Sequence, residues 1–434
     1  MFAFLISSVI CDCFFEDGNW YCNQVEQVEY QNIGTSGTYQ RVTYMDGNSG
    51  QCNKEGHSYN GNFAPLNEEF SYHFRGPLNL KKFAVYYPDG NKYNRKTYYN
   101  AETKQADNIV FTNAMGGTAG SGVWSPNFGN SISFAASDGK AGAGSPQTLN
   151  DVTLPSTSEF HIWSGEKCEG NDCGYYLPGI PAYHGFKGSR VVLMQFKMPH
   201  DYSGNDMPAI WSLNAQIPRT QQYGDCSCWS TGCGEYDLFE VVTNNQEKMI
   251  SHIHTAQGGN PPNKVPGGGA GNQDYFIRPT NNYMTGAVIY YEDGSKTTII
   301  DVTSKNLNFG DSYSMSDVEG WRSSKGSVAY GMNSNSDNLN SNYDLNSDNT
   351  SMKCDFCRKL SQQLIEAFED GLSEQQIIDQ FTNACSYTGN MKSQCESFVT
   401  LYLPKFIEQL KTSIAKISAG RLCTFIHLCE RKRV

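Results

Sequence analysis

Residues 224–242 read GDCSCWSTGCGEYDLFEVV: three cysteines and three glycines crowd in front of Glu235, Asp237 and Glu240, which are set among apolar and aromatic residues. The segment predicts a strand that begins after Gly234. Strand side chains alternate with period two, so Glu235 and Asp237 share a face. Glu240 falls on the opposite face of a regular strand, and one extra residue in a β-bulge returns it to the first. Three carboxylates then line one short stretch of sheet. Mutual repulsion keeps at least one of them protonated near neutral pH, which separates an acid from a base. Retaining glycoside hydrolysis needs that arrangement, with one carboxyl as nucleophile and a second as acid/base. The plainer reading is a solvated acidic edge strand.

The neighbouring segments favour a sugar cleft. MPAIWSLNAQIP, residues 207–218, reads as a strand carrying Trp211 and Asn214, and SHIHT, residues 251–255, as one with His252 and His254 on one face. Indole faces stack on sugar rings, while Asn and His hydrogen-bond hydroxyls. Trp211 could equally be core. Zinc held by His252 and His254 lacks a clear third ligand, so no metal or other cofactor is expected. Cys226, Cys228 and Cys233 could ligate metal, but in an oxidising compartment disulfides are favoured, as for Cys168 and Cys173.

The chain has 434 residues, 38% hydrophobic and 18% charged, with 26 Tyr and a net charge of −11. That excludes a highly charged disordered chain and argues against nucleic acid as a partner. MFAFLISSVICDC opens with an apolar stretch, and residues 1–12 are expected to be a signal peptide, although the basic n-region is missing. Cleavage between Cys11 and Cys13 would leave fourteen of the fifteen Cys, all of which can pair. A secreted, cell-wall or cell-surface protein is expected, or one delivered to a lysosomal or phagosomal vesicle.

Residues 332–351, MNSNSDNLNSNYDLNSDNTS, form a polar linker with a glycosylation sequon at Asn349. Before it lie short alternating segments broken by Gly, Pro and Asn, such as RVVLMQFKM (190–198) and GAVIYYEDG (286–294), which read as strands. After it, apolar residues recur at helical spacing, as at Leu360, Leu364, Ile365 and Phe368. Residues 352–434 hold 11 basic and 9 acidic residues; 22 basic against 35 acidic remain before them, a net of −13. The expected architecture is therefore multidomain. An N-terminal Cys-containing β module (13–85) precedes a mainly β body (86–331), and a small helical domain (352–431) follows the linker.

MPAIWSLN, GEYDLFE and HIHT together resemble the signature of family-16 glycoside hydrolases, the laminarinase and lichenase group. Residues 21–46, 64–88 and 207–242, with the specific block CSCW-x-x-GCGE, resemble fungal-type cell-wall endo-β-1,3-glucanase-like proteins over roughly residues 20–320. The resemblance implies a jelly-roll β-sandwich that acts on β-glucan. It carries Glu235 over as nucleophile, Asp237 as its electrostatic helper and Glu240 as acid/base. Trp211 and Trp229 are expected as stacking platforms, with Asn214 and His254 as further substrate-binding residues. The alternative is a glucan-binding wall or coat protein that does not cleave.

Cys354, Cys357, Cys385, Cys395, Cys423 and Cys429 have near-mirror spacing, and six cysteines alone permit fifteen connectivities. With Tyr402–Pro404 and amphipathic segments between, this region resembles the all-α saposin B-type domain. The resemblance implies bridges Cys354–Cys429, Cys357–Cys423 and Cys385–Cys395, and contact with a lipid or membrane surface. Lys405, Lys411, Lys416 and Arg431–Arg433 could meet anionic headgroups. A membrane-active effector dominated by this tail is a third reading.

Overall fold

The computed structural model describes residues 14–17, 19–31, 36–61, 63–256, 271, 273–291, 294 and 296–330, with four more at 373, 375, 376 and 378. The chain divides into two compact units, Asp12–Ser334 and a second made of Met1–Cys11 with Asn335–Val434. The expected signal peptide, the linker and the saposin-like domain with its six cysteines lie outside the described residues, apart from those four positions.

The first unit is mainly β. Among the described residues, two nine-stranded sheets account for most of its strands. Near the middle of one sheet lie, side by side, Glu159–Ser164, Phe70–Arg75, Ala209–Asn214, Glu235–Glu240 and Lys248–His254. The other is built around Asn79–Asp89, Arg190–Lys197, Met284–Tyr290 and Lys296–Asp301. They pack face to face. Phe70, Tyr72, Phe74, Ile210, Tyr236, Leu238 and Phe239 of the first share one buried cluster with Phe83, Val85, Val192, Phe196, Val288 and Ile299 of the second. Alternation within FSYHFR accounts for the geometry. Phe70, Tyr72 and Phe74 enter the core, and Ser71, His73 and Arg75 stand on the opposite face.

The expected module boundary at residue 85 falls inside the strand Asn79–Asp89. Gln27–Gln31 pairs with Lys296–Asp301, and Phe70–Arg75 with Ala209–Asn214, so residues 27–89 contribute strands to both sheets. The consecutive strands at 70 and 79 enter opposite sheets, which stitches this segment into the sandwich. The hairpin Gly37–Asp46/Gln51–Tyr59 forms a separate two-stranded sheet.

Disulfides Cys52–Cys226 and Cys228–Cys233 tie the segment before the acidic strand, the first of them to that hairpin; Cys168–Cys173 closes a small loop. The Cys52–Cys226 bridge spans 174 residues. Replacing both cysteines by Ser is expected to lower unfolding free energy by about 2–5 kcal/mol, read from the urea midpoint; an unchanged midpoint would show that the bridge stabilises nothing.

Candidate active site

The acidic strand carries the bulge its sequence requires. Trp211 pairs with Asp237 and Ile210 with Phe239, so Leu238 is the extra residue; the partner strand on the other side shows the same shift between Asp237 and Glu240. Tyr236, Leu238 and Phe239 all enter the core. Glu235, Asp237 and Glu240 therefore project together from the outer face of the sheet.

Their environments differ. Glu235 is 8% exposed; its Oε2 accepts from Trp229 Nε1 at 2.6 Å and its Oε1 from the Tyr223 hydroxyl at 2.8 Å. Trp211 Nε1 donates to that hydroxyl at 2.8 Å. Indole N–H can only donate, so the Tyr223 proton is directed at Glu235. Asp237 lies 3.0 Å from His254 Nε2, and Glu240 3.7 Å from Arg75. Burial and then the Asp237 charge push the Glu235 carboxyl up to about 8, against the His254 charge and the two donors. Burial and the Glu240 charge raise Asp237 well above its ordinary range, and burial raises Glu240 despite Arg75 and His254. Such a set holds protons at weakly acidic pH and can both give and accept one.

The other expected residues take several parts. Trp229 is partly buried and serves Glu235 through its N–H. In place of the open platform expected for Trp211, the structure shows a buried ring, 4% exposed, beside His73 (centroids 5.2 Å) and Arg75 (5.7 Å). It positions Tyr223. Asn214 is 2% exposed and donates to Glu68 and the Cys233 carbonyl, while its oxygen accepts from the Gln216 N–H. That leaves it holding loops rather than free to meet a hydroxyl. His254 faces the carboxylates, opposite Glu235 in register.

Sequence reasoning missed the residues that complete this face. His73 lies opposite Trp211, His161 opposite His73, and Arg75 opposite both Ala209 and Glu159. They come from strands some 50 to 165 residues away in sequence, and only the register brings them together. Tyr223 sits in a loop with φ +57° and carries no local signal. His73 Nδ1 lies 3.0 Å and His161 Nε2 2.9 Å from Glu159 Oε1. Burial and then the neighbouring His161 push His73 down to about 4. A second grouping, Cys168, Asp172, Cys173 and His184, has both sulfurs in a disulfide and offers no thiolate.

Fold and site together define a secreted-type, disulfide-tied β-sandwich with a buried cluster of carboxylic acids on the outer face of one sheet. Residues 26–88 match the N-terminal model, and residues 91–321 the C-terminal model, of the cell wall protein YJL171C/Tos1 family. The chain belongs to that family. A Saccharomyces cerevisiae relative named "probable circularly permuted 1,3-beta-glucanase TOS1" is 38% identical, covering 76% of this chain and 97% of its own. A Candida albicans relative of the same name is 36% identical, covering 75% and 96%. One from Schizosaccharomyces pombe, also named as a probable circularly permuted 1,3-beta-glucanase, is 38% identical, covering 75% and 96%. No solved structure matches.

Proposed function

We propose that this chain is a cell-wall glycosidase that acts on 1,3-linked β-glucan with retention of configuration, by hydrolysis or by transfer to an acceptor sugar. The names of the relatives support the substrate. The observation that carries the chemistry is the bulge at Leu238, which turns Glu240 to the face of Glu235 and Asp237.

The donors support a division of roles. Glu235 alone of the three accepts from two neutral N–H or O–H groups, which fix its oxygens and support its negative charge once its proton has left. It is the nucleophile. Burial raises all three carboxyls, so the cluster retains a proton that Glu240 can deliver to the leaving oxygen. Glu240 protonates the departing oxygen while Glu235 attacks the anomeric carbon. Glu240, now a carboxylate beside Arg75, then takes a proton from water or from an acceptor hydroxyl.

A second reading, a protein that holds glucan without cleaving it, is favoured by the Tyr223 hydroxyl seated against a Glu235 that is only 8% exposed. Incubation of the full-length protein with defined laminari-oligosaccharides, followed by NMR of fresh products, separates the two. Shorter or longer oligosaccharides formed as the β-anomer are expected. Glucan pull-down with no change in chain length would leave only the binding reading.

A further inference from the structure

We propose that His73, His161 and Glu159 form a binding site for a divalent cation of the zinc class on the same sheet face as the carboxylates. Glu159 and His161 are two apart on one strand and so share a face, and His73 lies directly opposite His161 on the next. One donor atom from each falls within 4.8 Å of the others. Two imidazoles and a carboxylate are a ligand set that Zn2+ favours, with a fourth position left for water or another oxygen.

Three details separate this from an ordinary buried hydrogen-bond cluster. His161 is fully buried, yet its Nε2 has no hydrogen-bond partner. Its nearest polar neighbour is the Glu159 carboxylate, at 2.9 Å from Oε1. A buried ring nitrogen left in this way is costly, and a cation between nitrogen and carboxylate removes that cost. The outer nitrogens are also held as metal-bound imidazoles are held. Ser71 Oγ lies 2.9 Å from His73 Nε2, and Thr112 Oγ1 3.1 Å from His161 Nδ1. Finally, both imidazole side chains are fully buried, whereas the Glu159 side chain is 24% exposed, so the open position lies on the carboxylate side. His73 packs on Trp211, which holds Tyr223. An ion here would clamp two strands and steady the ring behind the Glu235 donors.

The test uses the full-length protein, stripped with chelator and titrated with Zn2+ by calorimetry and with Co2+ by visible absorption. The expected result is one saturable site, intense d–d bands of four-coordinate Co2+, and loss of both in His161→Gln and Glu159→Gln. Ser71→Ala should bind Zn2+ about 10–100-fold more weakly. The wild-type Co2+ spectrum stands even if a variant fails to fold. Absence of saturable Zn2+ uptake by the wild type, weak six-coordinate Co2+ bands, or equal uptake by folded Glu159→Gln would each overturn the site.

Discussion

Glu235→Gln lowers cleavage of laminarin by about 10⁴-fold or more, the scale of loss when a nucleophile is taken from a catalytic unit. Gln keeps the size of the side chain and an oxygen that accepts from Trp229, while its NH2 can donate to the Tyr223 hydroxyl, so the fold and the glucan affinity survive. Glu240→Gln is expected to lose about 10²–10⁴-fold on laminarin, with a distinct pattern. Aryl glycosides whose leaving group needs no proton are largely spared at the first step, because only the acid has been removed. Azide should then rescue turnover and yield a β-glycosyl azide, since a small anion replaces the water that Glu240 no longer activates. Rates of both variants on both substrates check the assignment; equal activity in wild type and Glu235→Gln would remove it.

The same cluster sets the pH dependence of stability. The unfolded chain releases the Glu235 proton near 4.5, whereas burial and Asp237 hold it up to about 8 in the folded protein. Between those values the native state binds the extra proton, so unfolding free energy falls as pH rises across the window. Which of the coupled acids carries the proton does not change that sign, because Asp237 and Glu240 are raised as well. At 1.36 kcal/mol per unit the loss amounts to at most about 5 kcal/mol. His73, pushed down to about 4, works the other way below its unfolded value of 6.5. The difference between two proteins that share His73 isolates the carboxylate. Glu235→Gln should gain on the wild type by several kcal/mol between pH 4.5 and pH 8, measured from urea midpoints. A variant that loses ground over that range would contradict the burial argument.

Much of this site is legible along the chain, and the reason lies in its locality. Glu235, Asp237, Glu240 and the bulge are encoded within six residues, because apolar Leu238 and Phe239 must both reach the core. The neighbouring cysteines pair as their compartment suggests. Residues whose role depends on register are not legible. Arg75, His73 and Glu159 become partners of the acidic strand only through strands between them. Trp211 reads the same whether open or buried, since both faces of its strand are covered. The boundary expected near 85 rests on cysteine content and strand-like pieces, whereas strands on either side of Gly76 enter different sheets without any change in composition.

On the proposed mechanism, a bulged strand gathers three acids so that Glu235 forms a covalent bond to the sugar. A laminari-oligosaccharide fluorinated at the 2-position, with an activated leaving group, should trap that intermediate. Peptide mass spectrometry should then find the sugar on Glu235, in the wild type and not in Glu235→Gln. A label on any other residue, or none while unfluorinated substrate is being turned over, would contradict the account.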